Sequence, residues 1–209
     1  MTTRLPVRLA GRPSERAQLE GITVANSPFI VGERLYLRAL EESDADGPYA
    51  AWLNDVEVCL GNAHHVFPST HTDRLAYIRS THGSRSALVL AIILKEGDLH
   101  IGNLSLQSIQ WVPRKAEFAI LLGDKEQWGR GYALEASRLI FRHGFSSLGL
   151  NRLESGVFAT HPTVQKMVLK LGMRQEGVRR SAAFKNNAFV DVVEFGVLRD
   201  EFEVADRAL

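Results

Sequence analysis

The sequence carries one cysteine, Cys59, in 209 residues. No intrachain disulfide can form, which fits a reducing compartment. Long apolar runs are also missing. The longest, Ala87 to Leu94 ("ALVLAIIL"), is far too short to span a bilayer and reads as a buried strand. The opening stretch "MTTRLPVRLAGRPSERAQLEG" lacks the apolar segment of a secretory signal. Neither sign of charge dominates: Lys and Arg number 25, Asp and Glu 24, for a formal net charge of +1. That balance argues against a strongly basic nucleic-acid binder and against an acidic tail. His64, His65, His71, His82, His100 and His143 show no metal-ligand spacing, and Cys59 stands alone, so no metal site is expected. Cys59 also has no base nearby in sequence to make it an acyl-carrying nucleophile. These absences lead to a bacterial-type cytoplasmic protein with neither membrane nor nucleic acid as partner.

What is present describes a folded domain. Hydrophobic residues make up 45% and charged residues 23%, enough for one substantial core. Residues 1–28 are polar, with Pro6, Gly11, Pro13 and Gly21, and read as an extension. Residues 29–209 form the domain. In "ERLYLRAL", Leu35 and Leu37 alternate with Arg34, Tyr36 and Arg38, the mark of a strand with two different faces. A helix is expected in "EESDADGPYAAWLND" and another over about Thr70 to Ser80. Strands follow in "SALVLAIIL", "HIGNLSLQSIQWV" and "AEFAILLG", the first two joined by the turn "KEGD". "YALEASRLIFRHGF" is a helix whose inner face uses Ala133, Ala136, Ile140 and Phe141. "RLESGVF" is a strand. "HPTVQKMVLKLG" is a helix with Pro162 at its first position, Val164, Met167, Val168 and Leu171 inward, and Gly172 just past its end. Two last strands flank "KNN". The order is β-α-α-β-β-β-α-β-α-β-β, a mixed sheet with packed helices.

The stretch "EQWGRGYALEA", Glu126 to Ala136, sets Gly129 and Gly131 one residue apart before a run of helix formers. A dinucleotide fingerprint would need a third glycine where Leu134 stands, and an acidic residue where Asn151 and Arg152 stand. A phosphate-binding Gly-Lys-Ser/Thr is absent. Two readings remain: glycines that merely shape a loop, or a cradle in which backbone N–H groups and a helix N-terminus hold a pyrophosphate.

Context favours the cradle. Glu117, in the strand "AEFAILL", precedes Gly131, and "HPTVQKMVLKLGM" follows. With "NRLESGVF" and the terminal "FVDVVEFGVLRDEF", the order and spacing of these segments resemble the GNAT superfamily of acetyl-CoA-dependent N-acetyltransferases. The resemblance covers about residues 31–205 and is nearest the branch of ribosomal-protein N-terminal acetyltransferases and their small-molecule-modifying relatives.

The resemblance implies an α+β fold: a mixed, mostly antiparallel sheet of about seven strands with helices on both faces. It implies acetyl-CoA as cosubstrate, with its pyrophosphate on the segment Trp128, Gly129, Arg130, Gly131, Tyr132 and Ala133. Trp128 replaces the usual Gln or Arg. The pantetheine arm is expected to pair with the backbones of Ile120 and Leu122, and the Leu121 N–H to face the developing oxyanion. Glu117 shares a strand face with Leu121 and is the candidate base, with desolvation expected to raise its pKa. The alternative for Glu117 is a surface pair with Arg114 or Lys115. Val168 stands where the family often has a tyrosine acid. His161 is a candidate for cofactor contact or thiolate protonation, or else a helix cap, and Lys166 on the same helix is a candidate cofactor contact.

The acceptor pocket is expected between Asn54–Pro68 and Ala182–Asp191. Basic residues facing it (Arg179, Arg180, Lys185) would favour an acceptor with a phosphate or carboxylate. A dominant acidic loop (Asp55, Glu57) would favour a polyamine, an aminoglycoside or a protein N-terminus. The expected activity is acetyl transfer to a primary amine of a small molecule. Acetylation of a protein N-terminus and acetyl-CoA binding without turnover are the alternatives. Analogy with the family also implies a homodimer.

Overall fold

The structure, a computed structural model, describes residues 27–207. The extension expected over 1–28 therefore lies almost wholly outside the described residues. The elements are β1 (Ile30–Val31), β2 (Leu35–Ala39), a 3-10 turn (Glu42–Ala45), α1 (Tyr49–Trp52), α2 (His71–Thr81), β3 (Leu88–Leu94), β4 (Leu99–Gln110), β5 (Lys115–Leu122), a second 3-10 turn (Lys125–Gln127), α3 (Tyr132–Ser146), β6 (Arg152–Phe158), α4 (Pro162–Lys170), β7 (Arg174–Lys185), β8 (Ala188–Leu198) and α5 (Arg199–Arg207).

Eight strands form one sheet in the order β1-β2-β3-β4-β5-β6-β8-β7. All neighbours pair antiparallel except β5 and β6. The eighth strand is β1, whose two residues are too short to show a period in sequence. Short turns set the antiparallel register. The last hairpin closes on Asn186 and Asn187, both at positive φ, the conformation a two-residue turn between twisted strands requires.

Strand alternation buries both faces of the sheet. Leu35, Leu37, Leu90 and Ile92 point to a core completed by Ile140 and Phe141 of α3, Val168 of α4 and Phe202 of α5. Tyr36, Val89, Ala91 and Ile93 point the other way, under Ile78 of α2. The two-faced strand expected at residues 34–38 thus has no solvent face at its centre: Tyr36 and Arg38 are 6% and 5% exposed. Arg38 is tolerated there because Asp44, from the first 3-10 turn, accepts both its terminal nitrogens at 2.8 Å. His100 Nδ1 lies 3.4 Å from the same carboxylate.

α5 was not expected from sequence. It is mostly charged, and Phe202 is its one buried residue. Its apolar residues Phe202, Val204 and Ala205 make too short a pattern to mark a helix, so the expected element order ends at the last strand.

Candidate active site

The parallel pairing of β5 with β6 spans only Lys115–Arg152, Ala116–Leu153 and Glu117–Glu154. Beyond Glu117 the strands part, and the sheet opens into a V. The ladder fixes which backbone groups face the gap. The Gly123 N–H donates to the Ile101 carbonyl at 2.9 Å, and the β4–β5 register runs unbroken from Gly102–Leu122 to Gln107–Glu117. Alternation then turns the polar groups of Glu117, Ala119 and Leu121 toward β4, and those of Phe118, Ile120 and Leu122 toward the gap. The Leu122 carbonyl accepts the Trp128 indole N–H at 2.8 Å, consistent with this phase.

Two expectations for β5 change accordingly. The Leu121 N–H faces β4, not the gap, and the Leu121 side chain packs on Tyr49, Trp52, Leu53 and Val58. Ile120 and Leu122 do face the gap. Glu117 is exposed, not desolvated, because the parting of β5 and β6 leaves its face of the sheet open. The surface pairing considered for Glu117 is also absent. Lys115 bonds Glu154 at 3.0 Å, and the Arg114 guanidinium sits 6.0 Å from the Trp111 ring. Among the described residues Glu117 has no hydrogen-bond or ion-pair partner.

At the open end of the V, the glycine stretch leads into α3. Gly129 and Gly131 take φ of +74° and +84°. An added Cβ at Gly129 would meet nothing, so the glycines answer a backbone demand and not a space demand. Gly131 is the N-cap of α3 and no side chain caps it. Among the described residues the N–H groups of Tyr132, Ala133 and Leu134 have no partner. This uncapped turn, with its positive dipole end, fits an anion. Arg34 braces it, a role its place at a strand entrance did not reveal. Its Nη1 donates to the Arg130 carbonyl at 3.0 Å and its Nε to Glu135 at 2.7 Å, and the guanidinium lies 4.5 Å from the Tyr132 ring centre. The Arg130 side chain is exposed.

His161 caps α4: the Val164 N–H donates to its Nδ1 at 3.4 Å. Its ring also packs against Gly61, where any Cβ would collide with it. This is the helix-cap alternative for His161, and it engages Nδ1 alone: Nε2 makes no hydrogen bond among the described residues. Val168 is fully buried, so a tyrosine hydroxyl there would need room in the core. Lys166 is exposed and has no ion-pair partner among the described residues. Cys59 is buried and burial pushes its thiol up, the opposite of a nucleophile's need.

On the β5–β6 face lies a cleft of about 330 Å³. Its walls come from Ala63 and Val66 of the Asn54–Pro68 loop and from Ala182 to Lys185 of the last hairpin, with Glu117 and Gly156 between. The two segments expected to form an acceptor pocket are therefore together. Lys185 Nζ donates to the His64 carbonyl at 2.8 Å and ties loop to hairpin.

An open parallel pair, an uncapped glycine turn and a flanking cleft are the geometry the sequence resemblance implied, and the acetyltransferase (GNAT) domain family matches residues 34–174. The chain belongs to the GNAT acetyltransferase family. It is an acyltransferase of that family. An uncharacterized N-acetyltransferase of Bacillus licheniformis is 32% identical over 174 residues, covering 81% of this chain and 96% of its own. A Bacillus subtilis protein named for ribosomal N-acetylation, YdaF, is 29% identical over 111 residues, 53% of this chain and 60% of its own. Among solved structures, a Vibrio cholerae spermidine N-acetyltransferase in complex with CoA and spermine superposes with a TM-score of 0.75 at 20% identity, covering 81% of this chain and 98% of that one. A Bacillus anthracis GNAT-family acetyltransferase gives 0.71 at 21%, over 82% and 98%. These structures share the GNAT fold with this chain. Among the described residues no helix is long and apolar enough to cross a membrane, and no cluster of His, Cys, Asp and Glu is arranged to hold a metal.

Proposed function

We propose that this GNAT protein moves an acetyl group from acetyl-CoA directly to a primary amine of a small molecule. The observation that carries this reading is Glu117, a carboxylate with no hydrogen-bond or ion-pair partner among the described residues, at the point where β5 leaves β6. When bound, acetyl-CoA supplies the activated thioester. The free N–H groups of Tyr132, Ala133 and Leu134 would hold its pyrophosphate, and the gap-facing backbones of Ile120 and Leu122 its pantetheine arm. Either the Ile120 or the Leu122 N–H replaces that of Leu121 as the donor to the carbonyl oxygen as charge builds there. Glu117 takes the proton the amine must lose. As the C–N bond forms and the C–S bond breaks, the thiolate leaves and takes a proton from solvent, Val168 having none to give.

The loop that Lys185 holds across the cleft supports a small acceptor over a protein N-terminus, which needs an open groove. Colorimetric detection of CoA thiol release with a panel of primary amines tests the reading. Thiol release that needs an amine supports it, and none with any amine contradicts it.

The cradle has its own prediction. Gly131→Val forces a β-branched residue to φ near +84°, which costs roughly 1–2 kcal/mol or relocates the turn. The variant should lose about tenfold or more in acetyl-CoA affinity, measured by calorimetry, while circular dichroism still reports a folded chain. Unchanged affinity would remove the glycine turn from cofactor binding.

A further inference from the structure

We propose, building on the transferase reading above, that the acceptor amine carries an anionic group, joined to the amine by an apolar spacer. The charges of this sheet face are mostly matched. Lys115 bonds Glu154 at 3.0 Å, Arg152 bonds Glu154 at 2.7 Å and also pairs with Glu176, and Arg179 pairs with Glu194. Three charged residues line the cleft: Arg179 is paired, and Glu117 and Lys185 have no ion-pair partner among the described residues, while Arg180 and Asp191 of the last hairpin, also without one, lie outside the lining. The Lys185 bond to the His64 carbonyl fixes its position without cancelling its charge. Apolar wall, with Val66, Phe158 and Phe184, lines the same cleft.

An ammonium suits Glu117, and an anion suits Lys185, with the free edge of the Arg179 guanidinium adding to the field. The acidic residues that would instead draw a polyamine are engaged elsewhere. Asp55 and Glu57 both bind Lys125, at 2.8 and 2.9 Å. A diamine would therefore find one carboxylate and then meet Lys185 with a like charge. Carboxylate and phosphate share the required chemistry.

The test uses the full-length protein, saturating acetyl-CoA and amines of matched length: ω-amino carboxylates, α,ω-diamines and n-alkylamines, with an amino-sugar phosphate against the free amino sugar as the phosphate arm. Ratios of kcat/KM are read within each protein, so any change in folding or cofactor binding cancels. In the unaltered protein an anionic amine should exceed its diamine or uncharged counterpart by about tenfold or more, the usual worth of a charged hydrogen bond. Preference in one arm identifies the anion. Lys185→Glu should reverse the order toward the diamine, and Lys185→Met should level it. A diamine accepted as well as or better than the anionic amine, or ratios unmoved by both substitutions, would overturn the inference and leave the transferase reading standing. No thiol release with any amine would overturn both.

Discussion

Glu117→Gln is expected to lower kcat by about a hundredfold or more at neutral pH, the usual contribution of a positioned base. Affinity for acetyl-CoA should stay the same, because the glycine turn and the Glu117 side chain are served by different segments. Glutamine keeps the shape and can still accept a hydrogen bond from the acceptor, so KM should move less than kcat. The pH profile separates a base from a mere binding group. An alkyl ammonium loses its own proton near pH 10, and a free amine needs no base. The variant should recover as the pH rises toward that value and approach the unaltered enzyme. A loss that persists equally at high pH would assign Glu117 to binding alone. Unchanged turnover at neutral pH would remove it from the mechanism.

Asp44→Asn is expected to cost about 3–5 kcal/mol of folding stability, because it leaves the buried Arg38 guanidinium without its counter-charge. That is a large share of the roughly 5–15 kcal/mol that holds a domain together. Burial alone would raise the Asp44 pKa. Arg38, His100 and the Glu41 N–H outweigh it and hold the carboxyl well below the usual carboxylate range. The folded-state pKa is therefore depressed. The stabilisation is complete above the unfolded value near 3.9 and is lost as pH falls toward the folded one. Urea unfolding at pH 7 and pH 3 should show a gap between the two proteins that narrows at the lower pH. A variant as stable as the parent at pH 7 would show that the pair holds no net stability.

The sequence carried the glycine turn, the Glu117 strand and the α4 helix clearly, because each depends on local rules. Pro162 and Gly172 bracket α4 where the propensities of those residues place them. The buried triad of Arg38, Asp44 and His100 was not legible. Arg38 alternates as a solvent-facing residue would, and only the 3-10 turn folding over it closes the site. Arg34 and Trp128 were hidden for the same reason: their partners, Glu135 and the Leu122 carbonyl, are set by tertiary packing. The Leu121 N–H, expected to face the gap, faces β4. Side-chain alternation tells which residues share a face, but the direction of a backbone N–H depends on the hydrogen-bond phase with β4, which needs the ladder itself. The exposure of Glu117 likewise follows from where β5 and β6 stop pairing, a point that β5's sequence does not mark.

The most direct test of the account is calorimetric titration of the purified protein with acetyl-CoA. Micromolar binding with one site per chain is expected, weakened in Gly131→Val and unaffected in Glu117→Gln. No heat of binding from a folded protein would contradict it, since the uncapped turn at Gly131 and the open edge of β5 would then have some other ligand.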